Sequence, residues 1–144
     1  MRKYLLALAL ALVATPALAA GDIVMHRDPG CGCCEAWAAQ VAKAFGQAVK
    51  IIDDANRASL HKRLGMHPAL ASCHTALIDG MAFEGHVPIA DMKRVLARRP
   101  AGVTGLAVPG MPVGSLGMEV SGRAPDKYTV LAFGAGKMSA FAQR

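Results

Sequence analysis

Residues 23–38 read IVMHRDPGCGCCEAWA and hold an apolar run, a tight turn and a dense group of cysteines. The β-branched residues of the run favour a strand, and Asp-Pro-Gly at 28–30 ends it. Apolar residues then recur at spacings of three and four, which predicts an amphipathic helix over 33–45 with Trp37 in the core and Gly46 as C-cap. The cysteines therefore stand where a first strand gives way to a helix.

Up to residue 100 the chain continues this alternation of strands and helices. We predict a strand at 49–53, a helix at 56–66, two strands around Asp79-Gly80, and a helix at 88–100. Asp-Gly is a hairpin dipeptide, and prolines bound the last helix at both ends. The order β-α-β-α-β-β-α predicts an α/β fold of thioredoxin-like type, a small mixed sheet with helices on both faces.

The C-terminal part has a different composition. Residues 101–126 are rich in glycine and proline, too rich for a helix or a central strand, yet apolar residues are threaded through them. A flexible linker would be polar, so this segment is interpreted as an extended wrap lying on the domain. Residues 128–133, YTVLAF, predict a late strand at a sheet edge, and GKMSAFAQR is interpreted as the tail.

The N-terminus has the pattern of a cleavable secretory signal peptide at 1–19. Two basic residues precede an apolar run, and Ala-Leu-Ala at 17–19 resembles a cleavage site. The run is too short for a membrane anchor, which needs about 20 apolar residues. We therefore expect an exported, periplasmic protein with no membrane anchor after processing, in which residues 20–144 form a single domain.

The charge pattern argues against a nucleic-acid partner. The chain carries 16 Lys and Arg against 10 Asp and Glu, a formal net charge of +6, and aromatic residues make up 5%. The densest basic run, KRVLARR at 93–99, has the spacing of a solvated helix face. A nucleic-acid surface would need a larger basic patch interleaved with aromatic residues.

The cysteines admit three interpretations. Cys31 and Cys34 have the spacing of a redox dithiol, which predicts a thiol-disulfide oxidoreductase. If the third strand begins beside the first, Cys73 joins Cys31, Cys33 and Cys34, and four soft sulfur ligands suit Cu(I). Two structural disulfides are the third interpretation, although cysteines this close together close almost no loop.

Several further side chains are candidates for the site. His74 is expected at the site because it follows Cys73, at a position where thioredoxin-fold oxidoreductases carry a cis-proline. Met111 and Met118 lie seven residues apart in the wrap and are additional candidate ligands. For the remaining histidines we expect surface or capping roles: His26, His61, His67 and His86.

The motifs CGCCEAW, SCHTALIDG, EGHVP and GLAVPGMPVGSLGMEV together resemble the CopG-type proteins, a family of periplasmic copper-resistance proteins long described as a domain of unknown function. The resemblance implies a thioredoxin-like fold and copper bound by Cys31, Cys33, Cys34 and Cys73. It also implies a role in copper detoxification or redox conversion, and leaves open whether the protein is a copper oxidoreductase. Leu116 departs from the family pattern, which has proline at that position.

We thus predict a protein that binds Cu(I), as one or several ions, and that works with other periplasmic copper-handling proteins. The alternative remains an oxidoreductase using Cys31 and Cys34. In the oxidised, copper-free protein we expect the disulfides Cys31–Cys34 and Cys33–Cys73. A Cys31–Cys73 bridge would leave the adjacent Cys33 and Cys34 to pair, and a Cys34–Cys73 bridge would leave Cys31 and Cys33, which are separated by a single glycine. Both remaining bridges would be tight.

Overall fold

The computed structural model describes residues 21–144, and the predicted signal peptide at 1–19 lies outside them. The strands are β1 (Ile23–Arg27), β2 (Val49–Asp53), β3 (His74–Ile78), β4 (Met81–Glu84), β5 (Gly105–Ala107), β6 (Thr129–Gly134) and β7 (Lys137–Gln143). The helices are α1 (Gly32–Phe45), α2 (Ala58–Arg63) and α3 (Ile89–Arg98), with one 3-10 turn at Pro68–Leu70.

The strands form one seven-stranded mixed sheet in the order β2-β1-β3-β4-β5-β6-β7. β1 is parallel to β2 and antiparallel to β3, and the pairing sets Arg27 opposite His74. The end of β1 therefore lies beside the start of β3, as the sequence requires if the cysteines are to converge. The predicted α/β class and the order of the first seven elements are confirmed.

Helix α1 carries the cysteine motif and is fixed by an apolar face. Cys34, Trp37, Ala38 and Val41, at spacings of three and four, are all buried. Burial of a large apolar side chain stabilises the fold by about 1.5–3 kcal/mol, so Trp37 anchors the helix strongly. The indole also donates a hydrogen bond from Nε1 to the carbonyl oxygen of Val87 at 3.2 Å. The helix ends at Gly46, as predicted.

The hairpin of β3 and β4 follows the predicted turn. Asp79 and Gly80 both have positive φ angles, 48° and 76°, the conformation of a type I′ turn whose twist matches the flanking strands. The register pairs Ile78 with Met81 and Thr75 with Glu84. This two-residue turn thereby determines which residues beyond the hairpin face each other.

The C-terminal strands correct one prediction. β6 is not at an edge of the sheet, because it lies between β5 and β7. The edge strand at this end of the sheet is β7, which the sequence had suggested to be a tail. A short turn at Ala135-Gly136 folds it back on β6. β7 has no run of large apolar residues and most of it is exposed, so its hydrophobic pattern does not reveal it.

Residues 101–126 contain β5 and a series of turns held by backbone hydrogen bonds. Gly114 N donates to Met118 O at 2.9 Å, and Met118 N donates to Ser115 O at 2.8 Å. A Cβ atom at Gly117 would lie 2.7 Å from the amide nitrogen of Trp37, so the segment crosses α1 in close contact. Within residues 21–144, none of the helices has the length and apolar character needed to cross a membrane.

Candidate metal centre

The four cysteines converge at the N-terminus of α1. Cys31 is the N-cap residue, Cys33 and Cys34 lie in the first turn, and Cys73 immediately precedes β3. Their sulfur atoms all lie within 4.8 Å of one another. Cys31 and Cys34 form a disulfide, whereas Cys33 and Cys73 are free thiols. The expected Cys31–Cys34 pairing is therefore present, and the expected Cys33–Cys73 bridge is not formed in this structure.

Backbone contacts bring Cys73 to the helix terminus. The amide of Asp28 donates to the carbonyl oxygen of Cys73 at 3.0 Å, which extends the pairing of β1 with β3. The Sγ atom of Cys34 lies 3.7 Å from the same oxygen. The guanidinium of Arg57 donates to Asp28 Oδ1 at 2.6 Å and to Ser72 O at 2.7 Å, so it holds both segments together.

A second arginine fixes the cysteine loop from the side of β1. Arg27 Nη1 donates to Cys31 O at 3.0 Å and to Glu35 Oε1 at 2.7 Å, and Arg27 Nε donates to Asp53 Oδ1 at 2.8 Å. The Arg27 side chain is almost fully buried while both carboxylates are half exposed. These charge-assisted bonds give the turn before α1 a defined geometry.

For His86 the sequence predicted a surface or capping role, and the surface role is wrong. The residue is fully buried, and its Nε2 atom lies 3.1 Å from the Sγ atom of Cys73. Its Nδ1 atom donates to the carbonyl oxygen of Leu116 at 2.8 Å. Because a carbonyl oxygen only accepts, Nδ1 carries the proton and the neutral ring presents the lone pair of Nε2 to Cys73. Burial lowers the pKa of His86 and favours this neutral form.

The hairpin register contains the signal that would have identified His86. β3 pairs Thr75 with Glu84, and continuing the register by two residues sets Cys73 opposite His86. The Asp-Gly dipeptide predicted this hairpin. A two-residue turn at Asp79-Gly80 fixes the register of β3 and β4, and this register places His86 opposite Cys73.

Gly85 allows the chain to turn back toward the site before His86. Its φ angle is +67°, and a Cβ atom there would collide with the carbonyl oxygen of Val108 and lie 2.7 Å from Ser72 Oγ. Glycine is therefore required at this position both by backbone conformation and by space.

His74 lies beside Cys73 in the structure, and its role as a ligand stays a prediction. It is fully buried, its Nδ1 atom lies 3.5 Å from Cys73 Sγ, and its ring centroid lies 4.5 Å from that of Trp37. Its Nε2 atom is buried without a hydrogen-bond partner among the described residues. Burial, followed by the neighbouring His86, lowers the pKa of His74 to about 3, so the imidazole is neutral at physiological pH.

Cys73 occupies the centre of this arrangement. It belongs to the four-cysteine group and also to a group with His74 and His86, whose ligand atoms likewise lie within 4.8 Å of one another. Burial raises the pKa of the Cys73 thiol to about 11. In the metal-free protein it is therefore protonated at neutral pH, and a bound cation must displace its proton.

The remaining candidate residues are less closely tied to the cysteines. Met111 is 53% exposed, and Met118 is partly buried next to Gly117. For both methionines, a role as copper ligand stays a prediction. Two of the other histidines have local partners: His67 caps the 3-10 turn by accepting from an amide, as expected, and His26 pairs with Asp54. The third, His61, is partly buried and lies 3.0 Å from a threonine hydroxyl of β3.

The donor set fits copper. Thiolates are soft ligands that prefer Cu(I), and neutral imidazoles bind copper in either oxidation state. His74 Nδ1, 3.5 Å from Cys73 Sγ, and the oriented ring of His86 give the centre nitrogen donors that a purely structural disulfide core would not need.

Comparisons with known proteins agree with this chemistry. The family model "Protein of unknown function, DUF411" matches residues 70–118, which include Cys73 and His86. The solved structure "Copper resistance protein copG- Form 1" is 42% identical, with a TM-score of 0.75, and the alignment covers 85% of this chain and 96% of that one. The Form 2 structure is also 42% identical, with a TM-score of 0.74 and coverages of 85% and 97%. No curated protein matches the sequence. The chain belongs to the CopG-type family of copper-resistance proteins.

Proposed function

We propose that this protein binds Cu(I) through a cluster of thiolates and thereby contributes to copper resistance. The observation that carries the proposal is the convergence of four sulfur atoms within 4.8 Å in a relative of copper-resistance proteins. Soft thiolates favour Cu(I) over harder ions, and the cluster has enough sulfur atoms for one or several ions. The proposed ligands are Cys31, Cys33, Cys34 and Cys73.

Copper uptake in this proposal begins with free thiols. The Cys31–Cys34 disulfide is first reduced by an external dithiol, which supplies two electrons and two protons and becomes a disulfide itself. Cys31 and Cys33 lie at the N-terminus of α1, where unpaired amide groups and the helix dipole stabilise thiolates. Cys73 contributes its sulfur when copper displaces its proton.

The two imidazoles are proposed as further donors. His74 and His86 both lie within 4.8 Å of Cys73 Sγ, so a copper ion on that sulfur would have nitrogen ligands within reach. A mixed sulfur and nitrogen set suits both oxidation states of copper, which supports a conversion between Cu(I) and Cu(II) with an external electron-transfer protein as partner. Met118 is the proposed ligand from the wrap, and Met111 a more exposed second one.

We propose that the protein acts in the periplasm, together with other copper-handling proteins there. The signal-peptide pattern at 1–19 supports export, with Ala20 as the first residue of the processed chain. Intact mass of the protein from a periplasmic extract tests this, and a product that still contains Met1 would contradict it.

Anaerobic titration of the fully reduced protein with Cu(I), in competition with a chromophoric chelator, tests the function. We expect tight uptake that is weakened at least tenfold in Cys73→Ser and unchanged in the surface variant His67→Gln. Zn(II) bound beforehand should be displaced, because four thiolates favour the softer ion. Retention of Zn(II) in excess Cu(I), or equal uptake by Cys73→Ser, would contradict the proposal.

A thiol-disulfide oxidoreductase is the second candidate, favoured by the Cys31–Cys34 disulfide at a helix N-terminus. An insulin-reduction assay separates the two functions. Rapid reduction of insulin that is lost in Cys31→Ser, without tight copper uptake by the parent, would establish the oxidoreductase.

A further inference from the structure

Cys73 is shared by two donor groups that respond differently to oxidation. The outer group consists of the four cysteines, and the Cys31–Cys34 disulfide removes two of its sulfur donors. The inner group consists of Cys73, His74 and His86, and this disulfide removes none of its donors. The oxidised protein therefore keeps a set of three clustered donor atoms.

The inner group is buried and its donor atoms lie close together. All three residues are buried, with exposed fractions of 8% for Cys73 and 0% for both histidines. The ring nitrogens approach Cys73 Sγ at 3.1 Å from His86 and 3.5 Å from His74. Donor atoms that share one ion in tetrahedral geometry are separated by about 3.5 Å, given metal–sulfur and metal–nitrogen bonds near 2.3 and 2.0 Å.

The orientation of the His86 ring points to a ligand at this position. The bond from His86 Nδ1 to Leu116 O holds the His86 ring so that Nε2 faces the sulfur. A backbone carbonyl behind a histidine ligand is a common way to orient its ring toward a metal.

We propose that Cys73, His74 and His86 form a separate site that binds one borderline divalent ion, Zn²⁺ or Cu²⁺, while Cys31–Cys34 remains a disulfide. One thiolate and two imidazoles are the ligands such ions prefer, and three protein ligands leave a fourth position open. The ion displaces the proton of the Cys73 thiol, and no electron is transferred.

The disulfide then decides which kind of ion the centre binds, and this second part rests on the proposed Cu(I) function. A dithiol reductant opens Cys31–Cys34, is itself oxidised to a disulfide, and leaves two new thiols beside Cys33 and Cys73. The centre thereby changes from one sulfur and two nitrogen donors to a cluster with four sulfur donors, which favours Cu(I).

Titration of the disulfide-intact protein with Co²⁺ under argon tests the inner site. We expect one equivalent to bind with a thiolate-to-cobalt charge-transfer band, and Zn²⁺ to displace it. The band should be lost in Cys73→Ser, and His86→Gln should weaken binding at least tenfold. His67→Gln, at a histidine outside the cluster, should bind as the parent does. Intact mass after alkylation verifies that Cys31–Cys34 stays oxidised.

Alkylation of Cys73 in the parent protein tests the inner site without any substitution, so the test does not depend on whether a variant folds. Zn²⁺ should slow alkylation of Cys73 in the disulfide-intact parent at least tenfold while leaving Cys33 reactive. Absence of a thiolate–cobalt band, or alkylation of Cys73 at the same rate with and without Zn²⁺, would overturn the inner site. Failure of the reduced protein to bind Cu(I), with these two results intact, would overturn only the proposed function.

Discussion

The Nδ1 atom of His86 donates a hydrogen bond to the carbonyl oxygen of Leu116 at 2.8 Å, across 30 residues of sequence. This bond joins the glycine- and proline-rich wrap to the candidate metal centre, because the opposite nitrogen of the same ring lies 3.1 Å from Cys73 Sγ. The wrap therefore helps to set the tautomer and the orientation of a proposed ligand. Leu116 acts through its backbone carbonyl, so a proline at this position, as the family resemblance implies, would keep the same contact.

Replacing His86 with glutamine should weaken Cu(I) binding by the reduced protein about 10–100-fold, because the amide is a poorer copper donor than imidazole and the bond to Leu116 is lost. Chelator competition measures the affinity. His67→Gln, which changes only the cap of a 3-10 turn, is the matched control. Equal affinities of His86→Gln and parent would show that His86 is not a ligand.

Gly85→Ala should lower the free energy of unfolding by about 2–5 kcal/mol, from the positive φ angle and from the collision with the Val108 carbonyl. Gly122→Ala is the matched control, since Gly122 has a similar φ angle of +74° but nothing within 4 Å of the added Cβ. It should cost about 1 kcal/mol. Urea unfolding of the metal-free proteins measures both, and equal losses would mean that the close approach at Gly85 is unimportant.

Stronger oxidation of the copper-free protein should join Cys33 to Cys73, because both are free thiols and their sulfur atoms lie within 4.8 Å. Peptide mapping under non-reducing conditions identifies the bridge. Cys33→Ser should leave Cys73 as a free thiol, whereas Cys31→Ser should still form Cys33–Cys73. A bridge between Cys31 and Cys73 in the parent would contradict the expected pairing.

Glu84 should make the stability of the metal-free protein depend on pH. The carboxyl group is fully buried, accepts hydrogen bonds from Ser72 N and Thr75 Oγ1, and has a pKa raised by burial from 4.5 to about 7. The folded protein thus holds a proton that the unfolded chain loses near pH 4.5. Glu84 therefore adds about 3 kcal/mol to the free energy of unfolding below pH 4.5. This contribution is lost as the pH rises from 4.5 to 7.

The control for this prediction is Glu84→Gln, which keeps the shape of the side chain and cannot ionise. The difference in unfolding free energy between parent and variant, measured by urea at several pH values, should change between pH 4.5 and 7 and be constant above about 8. A difference that is independent of pH over the whole range would show that Glu84 ionises normally in the folded protein.

Local patterns in the sequence were sufficient for the first part of the fold. The apolar run before Asp-Pro-Gly, the helical spacing through Trp37 and Val41, and the Asp79-Gly80 turn each predicted an element that the structure contains. These signals are local, because strand, helix and turn preferences act between residues a few positions apart. The position of three cysteines at the start of α1 followed directly from them.

The sequence alone determined the identities and spacing of the thiols, the hairpin and the composition of the wrap. Only the tertiary structure decided that β7 forms one edge of the sheet and that His86 is buried beside Cys73. The large apolar residues of β7, Met138 and Phe141, lie three positions apart and give no alternating strand pattern, so its place depends on pairing with β6. A histidine is compatible with a surface position and with a metal site, so the residue type alone did not indicate where His86 lies. Its position depends on residues distant in sequence: the strand register places Cys73 opposite it, and the Leu116 carbonyl orients its ring.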